Sequence, residues 1–178
     1  MTARRETVRV GAGAGYAGDR WEPALELAEK GDIQYLVFEC LAERTIAREA
    51  LARLNDPDAG YNPRLAERIR GVLPACLQRG IRIVTNMGAA NPRAAARRIR
   101  EEAQSLGYND VPCAVVLGDD VADTLRKHPQ LTLLESGDKL EAILPRMEAA
   151  NAYLGADIVA KALERDAPVV VTGRVWTM

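Results

Sequence analysis

Short apolar runs alternate along this chain with longer stretches of helical period, a pattern that predicts a mostly parallel sheet covered by helices. The first run, about Thr7 to Val10, precedes the glycine-rich segment GAGAGYAGDR. A helical stretch from about Trp21 to Lys30 has Pro23 in its first turn and Gly31 as its stop. The second run is QYLVFEC. Another helical stretch starts near Thr45 and ends before NDPDAGYNP, a cluster of turn formers. The next helix takes Asn62 as its cap and Pro63 as its first residue. Leu65, Ile69, Val72 and Cys76 form its buried stripe, and Gly80 ends it.

The third run, IRIVTN, leads through MGAAN into a helix capped by Asn91, begun by Pro92 and ended by Gly107. The fourth, VPCAVVLG, is followed by Asp119 and Asp120. LTLLE has the pattern of an extra edge strand. Helical sequence follows Asp138 and resumes after Ala150, and PVVVTG is the fifth run. No repeat, low-complexity segment or linker interrupts the chain, so residues 1–178 read as a single α/β domain. The expected architecture is a Rossmann-like three-layer sandwich: about five strands, mostly parallel, helices on both faces, and the first strand near the middle.

Composition narrows the picture. A chain of 178 residues, 48% hydrophobic and 28% charged, is able to fold around a core. Aromatics are only 4%, so Val, Ile, Leu and Ala must fill it. The net charge of −1 and the lack of a basic block argue against a nucleic-acid partner. The apolar runs are too short to span a bilayer, and the start, MTARRETVRV, lacks the apolar stretch of a signal peptide. Cys40, Cys76 and Cys113 are far apart and odd in number, which reads as reduced core thiols of a cytoplasmic protein. With one histidine, His128, and no paired cysteines, a Cys/His zinc site is not expected.

Candidate chemistry follows from the topology. Open α/β sheets bind ligands beyond the carboxyl ends of their strands. Those ends carry Gly11 to Arg20, then Glu39 and Glu43, then Thr85, Asn86, Gly88 and Asn91. The fourth contributes Gly118, Asp119 and Asp120, and the fifth Thr172, Gly173 and Arg174. Gly13-x-Gly15-x-x-Gly18 matches the dinucleotide fingerprint, with Glu39 near the position of the ribose-binding acid. Pro23 delays the helix start, however, and Asp19 adds negative charge. The other reading is a glycine-rich turn that positions Asp19 and Arg20, and the residues leave both open. Asp119 and Asp120, with Glu39, could hold a divalent metal or act as acid and base; one of the pair could instead cap the following helix. Arg20 and Arg174 could clamp a carboxylate or phosphate, or form surface ion pairs. Arg93, Arg97, Arg98 and Arg100 read as a solvated helix face.

Six segments occur in order: GYAGDRWEPALELAEKGDIQYLVFECLAE, DPDAGYNP, GIRIVTNMGAANPRAAA, VVLGDD, NAYLGADIVAKAL and VVVTGRV. Together they resemble the N-terminal part of acyclic terpene utilisation (AtuA-like) proteins over nearly the whole chain. The resemblance implies a place in bacterial breakdown of acyclic isoprenoids such as citronellol and geraniol, through acyl-CoA intermediates. It implies an enzyme, or part of one, acting on an isoprenoid acyl compound or its CoA thioester; a nucleotide-binding module using the first loop and Glu39, and a non-catalytic partner-binding subunit, are the alternatives. The motif positions that carry over are Gly18, Asp19, Arg20, Glu39, Glu43, Asn86, Gly88, Asn91, Pro92, Gly118, Asp119, Asp120, Asn151, Tyr153, Gly155, Thr172, Gly173 and Arg174. With the loop residues Gly13, Gly15 and Tyr16 they make up the candidate ligand site. Two departures stand out. The glycine segment has Gly and Ala where a serine is common, and family members continue past TGRV into a second half. That difference implies a self-association or a partner chain in place of the second half, with Val175 and Trp176 among the contacts.

Overall fold

The computed structural model describes residues 7–176. A five-stranded sheet runs in the order β1-β2-β3-β5-β4, and every neighbouring pair is parallel. The strands are β1 (Val10–Ala14), β2 (Tyr35–Phe38), β3 (Arg82–Thr85), β4 (Cys113–Val115) and β5 (Val169–Val171). The helices are α1 (Glu22–Lys30), α2 (Glu43–Asn55), α3 (Leu65–Arg79), α4 (Pro92–Ser105), α5 (Ala122–Arg126) and α6 (Ala156–Leu163). Two short 3-10 turns, Leu140–Ala142 and Leu144–Arg146, lie between α5 and α6.

Side chains alternate across the sheet. Leu36, Phe38, Ile83, Val169 and Val171 point to one face and meet Ala24 and Ala28 of α1, Ile69 and Val72 of α3, and Ala95 and Ile99 of α4. Val170 and Val116 point to the other face, against Ala162, Ile158 and Leu163 of α6. Helices therefore cover both faces, as the alternating pattern predicts, but unequally. With eight residues α6 is roughly 12 Å long, and Val10 at the far side of the sheet stays 59% exposed.

The first strand departs from expectation twice. It lies at Val10–Ala14 rather than Thr7–Val10, and it forms an edge rather than the middle. The shift has a steric cause. A Cβ on Gly11 would sit 2.5 Å from Leu27 Cδ2, and one on Gly13 would sit 2.8 Å from Phe38 Cε1. Both glycines are strand residues whose missing side chains let α1 and Phe38 pack close. The edge position follows from the crossovers. With α1, α3 and α4 on one face, the chain steps from β1 to β2 to β3 and then skips a place to β4. The return through α6 on the opposite face inserts β5 between β3 and β4.

Most helix boundaries fall where the capping residues put them. Asn91 Oδ1 accepts the Ala94 N–H at 3.2 Å, and Gly80 ends α3 with φ 65, a left-handed stop that glycine adopts freely. The third helix begins at Leu65 rather than Pro63, because the Asn62 side chain accepts the Arg64 N–H at 2.9 Å and holds a turn before it. LTLLE is not a sheet strand. Thr132 and Lys139 form an isolated antiparallel bridge in a local turn outside the sheet.

The packing at Gly13 is testable. Gly13→Val should cost about 1–3 kcal/mol through overpacking against Phe38, read as a fall in Tm of roughly 2–4 °C per kcal/mol. Gly15→Ala should leave Tm nearly unchanged, since nothing lies within 4 Å of the added methyl. Equal melting of the two variants would contradict the close approach.

Candidate functional site

The same crossovers open a crevice. The chain leaving β3 goes to the face of α4 and the chain leaving β4 goes to the face of α6, so the two loops diverge above the end of β5. Two adjoining hollows of about 180 and 250 Å³ lie there and share Arg53, Ala90, Asp120 and Asn151. The first is walled by Asn91, Pro92 and Arg93 at the start of α4 and by Leu117, Gly118 and Asp119 after β4. The second extends past Leu54 of α2 to Asp123, Arg126 and Glu148. Gly118 has φ 114 and open space where a Cβ would be, so its backbone is bare at the wall.

Asp119 is the latch of this edge. It is 4% exposed, and Oδ2 accepts the Arg174 N–H at 2.7 Å and Asn151 Nδ2 at 3.0 Å. Its carbonyl accepts the Ala152 N–H at 2.7 Å. A side chain at Gly173 would collide with the Asp119 carboxylate. The loops after β4 and β5 and the strand-like segment at Asn151 are thus tied at one carboxylate.

Arg174 extends the tie across the sheet. Its buried guanidinium donates to the Leu41 carbonyl at 2.9 Å and lies 4.9 Å from the centre of the Tyr153 ring. The Tyr153 hydroxyl donates to Glu43 Oε1 at 2.7 Å. That hydrogen bond first, then Arg174 nearby, holds Glu43 below the usual carboxylate range, and the same bond raises Tyr153. Trp176 stacks edge-on against Tyr153 at 5.6 Å and stays 61% exposed, whereas Val175 is buried in its own domain.

Glu39 and Asn86 form a second group. Asn86 accepts the Cys40 N–H at 2.7 Å and donates to Glu39 Oε1 at 2.8 Å, and the same oxygen accepts the Leu41 N–H at 3.1 Å. Beside them Val37, Val84, Val159 and Val175 line a hollow of only about 50 Å³. A third group lies after β1. The Asp19 carboxylate accepts the Gly15 N–H at 3.0 Å, and the Asp19 N–H returns to the Tyr16 carbonyl at 3.1 Å. Gly18, Arg20 and the largely exposed Tyr16 belong to this turn and line neither hollow.

The carboxylates after β4 therefore divide. Asp119 is buried, with its Oδ2 engaged by two donors. Asp120 is open: its Oδ1 accepts the Ala122 N–H at 3.2 Å at the start of α5, and Arg53 lies 3.6 Å from its Oδ2. A dinucleotide does not fit the first loop. Gly13 lies within β1, α1 begins only at Glu22, and the Asp19 carboxylate already occupies the N–H that a phosphate would need. Among the described residues, no three His, Cys, Asp or Glu side chains gather as a metal site would require. Asn91 is spent on structure, donating to the Pro57 and Ala59 carbonyls at 2.9 and 2.7 Å. Gly88 is wedged against the Thr172 carbonyl and Pro92, and Thr172 donates its N–H to the Thr85 carbonyl at 2.8 Å. Burial pushes the Cys40 thiol up to about 11 and Cys76 to about 12, so both are protonated packing groups at neutral pH.

Arg68 is the residue that sequence reasoning missed. It is fully buried and donates to the carbonyls of Ala17 at 3.1 Å and Asp19 at 2.6 Å, and to Cys40 Sγ at 3.1 Å. The available signal was spacing. Arg68 stands three residues after Leu65, on the face that Leu65, Ile69, Val72 and Cys76 bury.

The latch makes a clear contrast. Asp119→Ala removes the one oxygen that accepts both the Arg174 N–H and Asn151 Nδ2, and should cost about 1–3 kcal/mol. Asp120→Asn, at an exposed site, should change Tm by no more than about 1–2 °C. Thermal melts showing equal losses would refute the latch.

Comparison with known proteins places this geometry in a lineage. Neither the curated proteins nor the solved structures yield a match to the chain. A family model described as "Acyclic terpene utilisation family protein AtuA" matches residues 8–176. The match takes in all five strands and every wall of the crevice, and the chain belongs to the acyclic terpene utilisation family.

Proposed function

We propose that this domain binds the anionic end of an isoprenoid acyl compound, as the free acid or its CoA thioester, in the crevice between the start of α4 and the loop after β4. Membership of the acyclic terpene utilisation family supports this choice of ligand class. The observation that carries the reading is the composition of the crevice wall. Arg53 and Arg93, the positive end of the 14-residue helix α4, and the bare backbone at Gly118 face one hollow. Guanidinium groups at the positive end of a helix are what a carboxylate or phosphate selects; in the first turn of α4 Pro92 has no N–H and Asn91 holds that of Ala94, which leaves the Arg93 N–H as the main-chain donor. Asp120 stands at the mouth as the carboxylate open to a bound molecule. Asp119 and Asn151, within the wall, and Arg174 behind them hold it in place.

Ligand-dependent melting tests this directly. An isoprenoid acyl-CoA at 100 times its Kd should stabilise the chain by about 2.7 kcal/mol, and NAD(P) should give no shift. Arg93→Ala should weaken binding by about 10- to 100-fold, the equivalent of one charge-assisted hydrogen bond. A shift with NAD(P) and none with acyl-CoA, or full affinity in Arg93→Ala, would reject the crevice as the ligand site.

A further inference from the structure

The two edges of the sheet differ. At β1 the register shifts between Ala12 and Ala14, and the strand starts beside an Arg9–Asp32 ion pair at 2.8 Å. Bulges and charges of this kind discourage further strand pairing. The edge at β4 has neither. Cys113 to Leu117 contains no charge and no proline, and among the described residues no sixth strand pairs with it. The Val116 N–H donates to the Val171 carbonyl at 2.9 Å, so Ala114 and Val116 turn their main-chain groups toward β5. By the alternation of a strand, Cys113, Val115 and Leu117 turn theirs outward. An open groove of about 1050 Å³ runs beside this edge between β4 and α6, with Lys161, Glu164 and Arg165 on its rim.

We propose that a second copy of this chain adds its own β4 antiparallel to this edge, about a two-fold axis at Val115, so that the two sheets become one. The edge groups fit that axis. Val115 pairs with the partner's Val115, and Cys113 pairs with the partner's Leu117. Each of these residues turns its N–H and C=O outward, so each meets a hydrogen-bonding counterpart. The charges fit as well. The same axis sets α6 antiparallel to the partner's α6 and brings Lys161 toward the partner's Glu164, and Glu164 toward the partner's Lys161. Like charges across the axis would oppose a self-contact, whereas this order of signs favours one. The net charge of −1 adds little repulsion between copies. A rim of both signs around an apolar strand does not suit a polyanion or a lipid surface.

Sedimentation of the full chain decides the matter. The expected mass is twice 19.4 kDa. Val115→Pro removes an N–H that points away from β5, so the intramolecular ladder keeps its bonds. This variant should be a monomer with the circular dichroism spectrum of the parent. Lys161→Glu should weaken the dimer by about 5-fold, and adding Glu164→Lys should restore it. Under oxidising conditions Leu117→Cys should form a covalent dimer through the partner's Cys113. A monomeric parent overturns the proposal, and so does a dimer that persists in Val115→Pro. If Val115→Pro fails to fold, the charge pair decides: a dimer that neither weakens with the single reversal nor recovers with the double one excludes this interface.

Discussion

A buried guanidinium without a carboxylate partner constrains the amino-terminal half of this fold. Arg68 is 0% exposed and makes no ion pair among the described residues. Burying an ion costs several kcal/mol unless dipoles replace the lost water. Here the replacement comes from the carbonyls of Tyr16, Ala17 and Asp19, with the sulfurs of Cys40 and Met87 behind them. Three carbonyls from a four-residue span can aim at one cation only if the chain curls back after β1. The Asp19 carboxylate, accepting the Gly15 N–H, holds that curl. The glycine-rich stretch is therefore half strand and half socket. Its likeness to a phosphate cradle arises because both structures need small residues and a tight turn.

From Arg68 a chain of hydrogen bonds crosses the carboxyl edge. Arg68 touches Cys40, the Cys40 N–H bonds Asn86, Asn86 bonds Glu39, and Glu39 also holds the Leu41 N–H. The Leu41 carbonyl receives Arg174, whose own N–H is held by Asp119. Polar side chains thus tie the ends of β1, β2 and β3 together and the end of β5 to those of β2 and β4. A network of buried hydrogen bonds in a low-dielectric setting is stiff and favours one arrangement of loops, although the Arg68 Nε itself has no partner among the described residues. The crevice beside Asp119 is built on that frame rather than on the mobility of its walls.

How much of this was legible depended on whether the cause was local. The helix stops at Gly31, Gly80 and Gly107 and the starts at Asn91 and Pro92 are local, because the capping residue meets its own helix. β2 and β3 were legible from their runs of β-branched and aromatic residues, and a role for one of the two aspartates at the start of α5 because the partner of Asp120 is two residues away. The first strand was hidden because glycine is a poor strand former, and the reason for Gly11 and Gly13 lies in Leu27 and Phe38. Strand order was equally beyond reach, since it depends on which face each crossover takes. The candidate residues lie along one edge of the sheet and do not line one cleft. Asp19, Glu39 and Asp119 sit in three separate hydrogen-bonded groups, and only partners distant in sequence reveal that.

Chemistry in this edge is constrained by what the frame has already used. A group that exchanges protons with a ligand must reach it, directly or through one water. Asp119 Oδ2 holds two donors behind the wall and Glu39 Oε1 holds two donors between β2 and β3. Moving either carboxylate onto a ligand would strand buried N–H groups, which costs about 1–3 kcal/mol each. Asp120 is less committed: its carboxylate is 59% exposed, only its Oδ1 is engaged by a main-chain donor, and Arg53 beside its Oδ2 faces the same hollow. The Asp-Asp pair thus works as a division of labour within two adjacent residues. The first carboxylate fixes the loop from inside so that the second is presented to the crevice at a constant position.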